Sequence, residues 1–351
     1  MSEQLSQFDA WINEGGPSAL IIKEFLEPAA GPGEVIFPPT FAPPEDKRDE
    51  GAGYVIDGEG EKSVCLIDSV GSQANRLEPV FKTAKYRDLV PQMEIRVNER
   101  VVNLLDAGHR AADALVRSTE LAPDLQNAFI ECATGNGTSL ARLAPTSLVF
   151  GAWDSRGSQA KVPRLVDSTV RAFGVKKLSR AAQYFSALEK DEVEELLETD
   201  TQKQRKPLSK AGFLDAPSGR THGGVIVTGD IVRITIVNLT ALRALGAATA
   251  EERTALRRYI LGLTLVAALA PMDLFLRQGC LLIRAEKKPL ESRIVYRDGR
   301  REDFSAALGE IEAFARAAAV AFGVEQGRVV SFDPKAAKDV LKKAAKTKEE
   351  A

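Results

Sequence analysis

The longest uncharged apolar stretch of the chain runs from Tyr259 to Met272. A bilayer-spanning helix needs about 20 such residues, so this stretch reads instead as the centre of a buried helix, Glu251 to Leu269, closed by Pro271. A helix that is apolar on every side needs walls on every side. Strands are predicted at Ala19–Leu26 and at Tyr54–Ile56 with Ser63–Ile67, the last two forming a hairpin around Asp57-Gly58. Further strands are predicted at Ser147–Trp153, Val225–Val237 and Leu274–Ala285. In the second of these Val232, Ile234 and Ile236 alternate with Ile231, Arg233 and Thr235, giving an apolar face and a face that presents a cation.

The remaining helical patterns are Val101–Leu115, with Asn98 as its cap, and Asp124–Ala133, stopped by Gly135-Asn136-Gly137. A last one carries the stripe Phe304, Leu308, Ile311, Ala315, Ala318 and Phe322, ended by Gly323. This order of elements predicts an α+β fold in which helices cover one face of a sheet, with a ferredoxin-like core enlarged by insertions. Residues 28–60 hold six prolines and read as a long irregular connection. The segment 186–224, an acidic helix followed by a basic stretch poor in apolar residues, reads as a projecting insertion. Residues 1–17 form an N-terminal arm and 331–351 a basic, solvated tail.

A formal charge of -2 on 351 residues argues at first against a polyanion partner. The distribution reverses that inference. Residues 1–60 carry 12 acidic and 3 basic side chains, and residues 189–200 carry 7 acidic side chains against Lys190, so the remainder of the chain has a net charge of +13. Such asymmetry suits nucleic-acid binding as well as ordinary solvated helix faces.

Enzyme signatures are largely absent. There is no GxxxxGK[ST] and no GxSxG, and Gly135-Asn136-Gly137-Thr138-Ser139 lacks the lysine of a phosphate loop. Cys65, Cys132 and Cys280 are too scattered for a disulfide framework or a metal knuckle, so no metal and no cofactor are expected. Glu3, Asp9 and Glu14 stand where a signal peptide needs a basic start, and the expected location is the cytoplasm. His109 reads as a packing histidine on its helix. His222, in Gly219-Arg220-Thr221-His222-Gly223-Gly224, has two readings: a general acid or base with Arg220 stabilising charge on an RNA phosphate, or a loop residue that merely touches phosphate.

Two segments are dense in nucleic-acid-binding chemistry. In Leu66-Ile67-Asp68-Ser69-Val70-Gly71-Ser72-Gln73-Ala74-Asn75-Arg76-Leu77-Glu78 a strand empties into small polar residues. Ser69, Ser72, Gln73 and Asn75 offer donors and acceptors, and Arg76 adds a fork suited to phosphate; the bland alternative is a helix cap at Ser69 and Ser72. In Pro145 to Gly157 a strand ends at Trp153, and a loop bearing Ser155, Arg156, Lys161 and Arg164 leads to a helix expected near Asp167 and Ser168. Trp153 suits either stacking on a base or a place in the core.

LIDSVGSQANRLE at 66–78 and PTSLVFGAWDSRG at 145–157, followed by Lys161, Arg164 and Ser168, resemble the signatures of the Cas-seven backbone subunit of CRISPR effector complexes of subtype I-G, formerly I-U. The resemblance spans residues 18 to 330. It implies an RRM-like palm of the RAMP superfamily, with 27–145 as a finger-like insertion and 186–224 as a thumb-like one. It also implies copies stacked along a CRISPR guide RNA that pairs with target DNA, beside a large subunit and a guide-end-capping or processing subunit. The strands at 225–237 and 274–285 lack the aromatics with which RRM domains stack RNA, so the RNA is not expected to lie flat on the sheet. Asp68 and Asp154 invite comparison with the cutting aspartate of type III relatives, but the resemblance implies a subunit without catalytic residues. The competing reading is a metal-independent guide-processing nuclease that uses His222.

Overall fold

The computed structural model describes residues 2–43, 45, 52–198 and 200–338, apart from the side chains of residues 2, 181–184 and 216–221. Its frame is a nine-stranded sheet. The strands are β1 (Ala19–Pro28), β2 (Val55–Asp57), β3 (Val64–Asp68), β4 (Val166–Phe173), β5 (Ile231–Asn238), β6 (Leu274–Arg277), β7 (Cys280–Arg284), β8 (Glu291–Val295) and β9 (Arg301–Asp303). They lie in the order β6-β7-β1-β5-β4-β3-β2, with β8 also on β1 and β9 on β8. All these pairs are antiparallel. β1 gives one edge to β5 and divides the other, pairing through Ala19–Lys23 with β8 and through Leu26–Pro28 with β7.

Three long-lived features of the sequence pattern are visible in the helices. α1 (Val70–Leu77) starts at Ser69, whose hydroxyl accepts a hydrogen bond from the Ser72 N–H. α2 (Ala250–Leu269) begins with the capping box Thr249/Glu252 and is buried almost continuously from Tyr259 to Ala268. α3 (Leu308–Phe322) ends at Gly323 in the left-handed conformation. α2 and α3 approach closely at Gly262, where a Cβ would stand 2.8 Å from Ala315 Cα. Their side chains share one core with Leu20, Ile22, Val166 and Val237 of the sheet.

That core does not extend over the whole covered face. A second one holds Leu26, Val170, Ala172 and Ile231 with Cys65, Ile67 and the inner residues of β6 and β7. Strand register shows what separates the two. Along β1 the covered face reads Leu20, Ile22, Glu24, Leu26; along β5 it reads Val237, Thr235, Arg233, Ile231; along β4 it reads Val166, Ser168, Val170, Ala172. A polar row therefore crosses three strands between two apolar cores. Glu24 and Arg233 are paired across β1 and β5 at 2.7 Å, and Ser168 meets Thr235 at 2.9 Å.

This arrangement corrects the alternation expected for 225–237. Arg233 faces the helices, while Ile234 is half-buried and Ile236 is 37% exposed on the open face. The Glu24 carboxylate is what allows the cation inside. The same region is also not one strand, because Thr228-Gly229-Asp230 separates β5 from Ala216–Val227. Likewise 274–285 is a hairpin, turned at Gly279 with φ +81°.

Three further expectations change. Residues 101–115 form no α-helix: Glu94–Val97 and Arg100–Asn103 make a hairpin about Asn98, at φ 56°, followed by short 3-10 turns. The β-branched pair Val101-Val102 favours extended backbone over the helical spacing read there. His109 is exposed on a turn, with Nδ1 3.5 Å from Asp113. Ser147–Trp153 is mostly the short helix Thr146–Phe150, all five residues buried, since a short apolar run looks alike in a buried helix and a buried strand. The helix expected near Asp167 is strand β4.

Residues 28–43 bridge the hairpin and the ribbon: Phe37 N–H donates to Gly279 O at 2.8 Å, and Ile36 pairs with Val225. Val175–Tyr184 and Ala216–Val227 form a separate two-stranded ribbon. Between its strands lie the helices Lys190–Leu197 and Arg205–Ala211, with their own small core of Val193, Leu208 and Leu214. The N-terminal segment packs on the main core through Phe8, Trp11 and Ile12, and Asp9 binds Arg258 at 2.6 Å. The basic tail is described only as far as residue 338, and the rest of it lies outside the described residues.

Removing one partner of a buried ion pair strands the other charge, at a cost of about 3 kcal/mol or more. Glu24→Ala is expected to lower the unfolding free energy, measured by urea titration, by that amount, with the larger part restored in Glu24→Ala/Arg233→Met. Equal destabilisation in the single and double variants would show that the pair does not hold the two cores together.

Candidate nucleic-acid interface

Each of the two polar motifs is organised around a buried aspartate. Asp68, 1% exposed at the end of β3, accepts from Gln73 Nε2 at 2.6 Å and from Arg76 Nε at 3.1 Å. Gln73 is fully buried, and its Oε1 accepts from the Ser168 hydroxyl at 3.0 Å. Arg76 also donates to the carbonyls of Phe275 and Leu276, at 3.4 and 2.9 Å. Gln73 and Ser168 are thus consumed inside the protein, where they tie α1 to β4. Ser69 and Ser72 are half-buried, and Asn75 and Gly71 are exposed. Nothing stands within 4 Å of where a Gly71 Cβ would be, so a ligand backbone has room at the first turn of α1.

Asp154, 3% exposed, does the same for the second motif. Its carboxylate accepts from the Ser158 N–H at 2.6 Å and the Ser158 hydroxyl at 2.8 Å, and lies 3.7 Å from Arg117. Around it the chain forms a hairpin in which Ala152–Trp153 pairs with Lys161–Val162. Gly157 is required in this loop, since a Cβ there would collide with the Asp154 carboxylate. Gly151, at φ 78°, turns the chain out of the buried helix, and its carbonyl accepts from Arg110 at 3.3 Å.

The outer side of this hairpin is open. Trp153 is 56% exposed, which settles its two readings in favour of a surface residue, and Lys161 Nζ stands 5.0 Å from its ring centroid. Arg156, Lys161 and Arg164 are exposed, Ser155 is half-buried, and none of the three cations has an acidic partner among the described residues. An exposed ring among unneutralised cations on a braced loop has the composition of a sequence-tolerant single-strand surface.

The brace is Glu78, directly after α1. It is 2% exposed and pairs with Arg110 at 2.7 Å, and Arg110 stacks over Phe150 at 5.3 Å. Burial pushes the Glu78 carboxyl up from 4.5 to about 7, against the opposing pull of Arg110. Sequence reading missed Glu78 and Arg110, because nothing local marks residues 32 positions apart as partners.

His222 lies on the ribbon strand Ala216–Val227, and this corrects its placement in a flexible loop. Gly223 and Gly224 are there for packing: a Cβ on the first would come 2.8 Å from Leu178–Ser179 backbone positions, and Gly224 has φ +90°. His222 Nε2 is bonded to Ala52 O at 2.7 Å, and its ring packs on Tyr54 at 4.8 Å. The side chain of Arg220 lies outside the described residues. Among the described residues no His, Cys, Asp and Glu side chains group in a way that would hold a metal, and no helix is long and apolar enough to cross a membrane. All three cysteines are free; burial pushes the Cys65 thiol up to about 11 and the Cys280 thiol up to about 12.

Residues 20–177, from β1 through β4 to the start of the ribbon, match the family described as CRISPR-associated protein GSU0053. Both motifs fall inside the match, and the chain is a CRISPR-associated protein. The match covers somewhat less than half of the chain and supports a Cas-seven-like protein of the kind found in subtype I-G, formerly I-U, systems. No curated protein matches the chain.

The raised Glu78 carboxyl makes stability depend on pH. The folded chain keeps this proton where the unfolded chain has released it, so the contribution is complete below about pH 4.5 and is lost as pH rises through about 7. Wild type is expected to lose a few kcal/mol over that window, measured by denaturation at stepped pH. Glu78→Gln should flatten the profile there, and an unchanged profile would assign the slope to another group.

Proposed function

We propose that this chain is a non-catalytic backbone subunit that binds a CRISPR guide RNA through its phosphates and bases. Copies of the chain line up along the guide, which pairs with target DNA, beside a large subunit and a guide-end-capping or processing subunit. The observation that carries this reading is the Trp153 hairpin: three exposed cations without acidic partners among the described residues, beside an exposed ring, held rigid by Asp154. A protein that accepts guides of any sequence needs such chemistry, because backbone contacts and stacking are indifferent to base identity.

The finer fold assignment rests on strand order. β8, β1, β5 and β4 are adjacent in that sequence and antiparallel, and α2 lies in the chain between β5 and β8. In order along the chain these four strands are first, second, third and fourth as β1, β4, β5 and β8, giving the 4-1-3-2 arrangement of an RRM-like palm. The ribbon with its two helices then takes the place of the thumb-like insertion, and the turns and short helices between β3 and β4 that of finger-like elements. The open face carries Lys23, Phe25, Ile234 and Ile236, without an aromatic row.

The absence of cleavage is supported by how the candidate groups are used. Asp68 and Asp154 are buried and bonded within the protein, and His222 Nε2 is engaged by a carbonyl. His222→Ala is therefore expected to leave guide RNA intact and bound.

The chain purified with a guide RNA should elute as a high-mass, RNA-rich assembly whose RNA is uncut on a denaturing gel. A small, RNA-free monomer contradicts the proposal. Arg156→Ala, Lys161→Ala and Arg164→Ala are expected each to weaken RNA binding several-fold in filter binding. If about four phosphates are neutralised per subunit, log K falls against log salt with a slope of about -3. Retention of full affinity by all three variants would place the RNA elsewhere.

A further inference from the structure

Beside the polar row the sheet opens into a cleft of about 680 Å³, within the range of small-ligand sites. It lies where β7 leaves β1 and is lined by Glu24, Arg233, Arg284, Phe275, Leu281 and Ile283, among others. A neighbouring cleft of about 260 Å³, which includes Arg76 and Leu77 of α1, shares Pro271, Met272 and Asp273 with it. The two clefts adjoin at these three residues, one reaching α1 and the other the β6–β7 hairpin.

The floor of the larger cleft is electrically unbalanced. Arg233 and Arg284 both address the single carboxylate of Glu24, with Nε–O distances of 2.7 and 3.3 Å. Arg233 is 9% exposed, and its buried Nη1 has no hydrogen-bond partner. A buried guanidinium N–H without an acceptor is costly, and two arginines on one carboxylate leave one positive charge. Asp273 sits on the rim, exposed, at the junction with the cleft that holds Arg76. The walls above are apolar and open, with Phe275 54% exposed, Leu281 46% and Ile283 45%.

We propose that this cleft binds one phosphodiester-linked nucleotide of a single strand, its phosphate on Arg233 and Arg284 and its base on Phe275. A diester carries one negative charge, which matches the floor, whereas a dianionic phosphate monoester carries one more than the floor balances. An aromatic ring flanked by aliphatic side chains takes a base and sugar without reading sequence. The adjoining cleft reaches α1, whose exposed Asn75 and Gly71 belong to the first polar motif. The proposal deepens the RNA-binding reading and depends on it for the source of the strand, but it uses residues apart from the Trp153 hairpin.

Hexamers of uridylate and of thymidylate carrying a thiolated base allow the test on the full chain, by photo-crosslinking with peptide mapping and by fluorescence anisotropy. Crosslinks are expected within 271–284, with affinity falling about tenfold in Arg284→Ala and in Phe275→Ala, the size of one charge-assisted or stacking contact. Both side chains are largely exposed, so unfolding temperatures should stay at the wild-type value. A preference for the uridylate or the thymidylate arm assigns the strand as RNA or DNA. Crosslinks confined to 153–164 with unchanged affinity in both variants would overturn the cleft and leave RNA binding standing. Failure of both hexamers to bind at all would overturn the cleft and the RNA-binding reading together. Binding of an oligoglutamate peptide that is lost in Arg284→Ala, without hexamer crosslinks at 271–284, would give the cleft to a protein carboxylate and overturn the proposal.

Discussion

The ion pair between Glu24 and Arg233 is the contact on which the architecture turns. It lies at the middle of the sheet, on the covered face, where an apolar pair would be the ordinary choice. Because it is there, the interior is two cores rather than one: the helices α2 and α3 cover Leu20, Ile22, Val166 and Val237, and the β6–β7 hairpin covers Leu26, Val170 and Ile231. Ser168, Thr235, Gln73 and Asp68 extend the polar row to α1. Buried ion pairs are weak sources of stability, and their best-attested use is to fix register. Here register places the start of α1 against β4, and with it the first polar motif.

The same construction is used at the surface. Asp68 and Asp154 each stand at the end of a strand, each is nearly inaccessible, and each spends its carboxylate on the loop or helix that follows. Their effect is to hold backbone and cations in place rather than to meet a ligand. Arg76 shows the consequence: an arginine that resembles a phosphate fork in the sequence is largely bound to Asp68 and to two carbonyls of β6. Glu78 and Arg110 brace the Gly151 turn from behind, so the Trp153 hairpin rests on a buried charge pair.

Much of the fold was legible locally. The sequence located β1 at Ala19–Leu26, the Asp57-Gly58 turn placed β2 and β3, and the apolar run closed by Pro271 placed α2. What failed has two causes: pairings distant in sequence overrode the local pattern, and some local patterns fit more than one backbone form. Arg233 turned inward because Glu24, more than 200 positions earlier, awaits it. Thr146–Phe150 is helical because burial on all sides accepts either backbone form for a short apolar run. Residues 101–115 had the spacing of a helix but the β-branched residues and Asn98 turn of a hairpin. In the candidate interface Trp153 suited core and surface alike, and only the fold exposes it, whereas the surface positions Arg156, Lys161 and Arg164 were readable from composition. The division of labour within each motif was not, because whether a Gln or Ser meets solvent or a buried aspartate depends on packing.

Charge illustrates why net figures mislead. Arg76, Arg110, Arg117, Arg233 and Arg258 are all held near carboxylates, and their charges add little to the field outside the protein. Asp9 of the N-terminal segment and Glu24 of the sheet are spent in such pairs. The cations best able to act on a distant polyanion are those without a neighbouring carboxylate, and Arg156, Lys161 and Arg164, gathered on one hairpin, have none among the described residues. A chain with a formal charge of -2 can therefore offer a strongly positive face, since attraction at a range of about one Debye length is set by the local unpaired charge and not by the sum over the molecule.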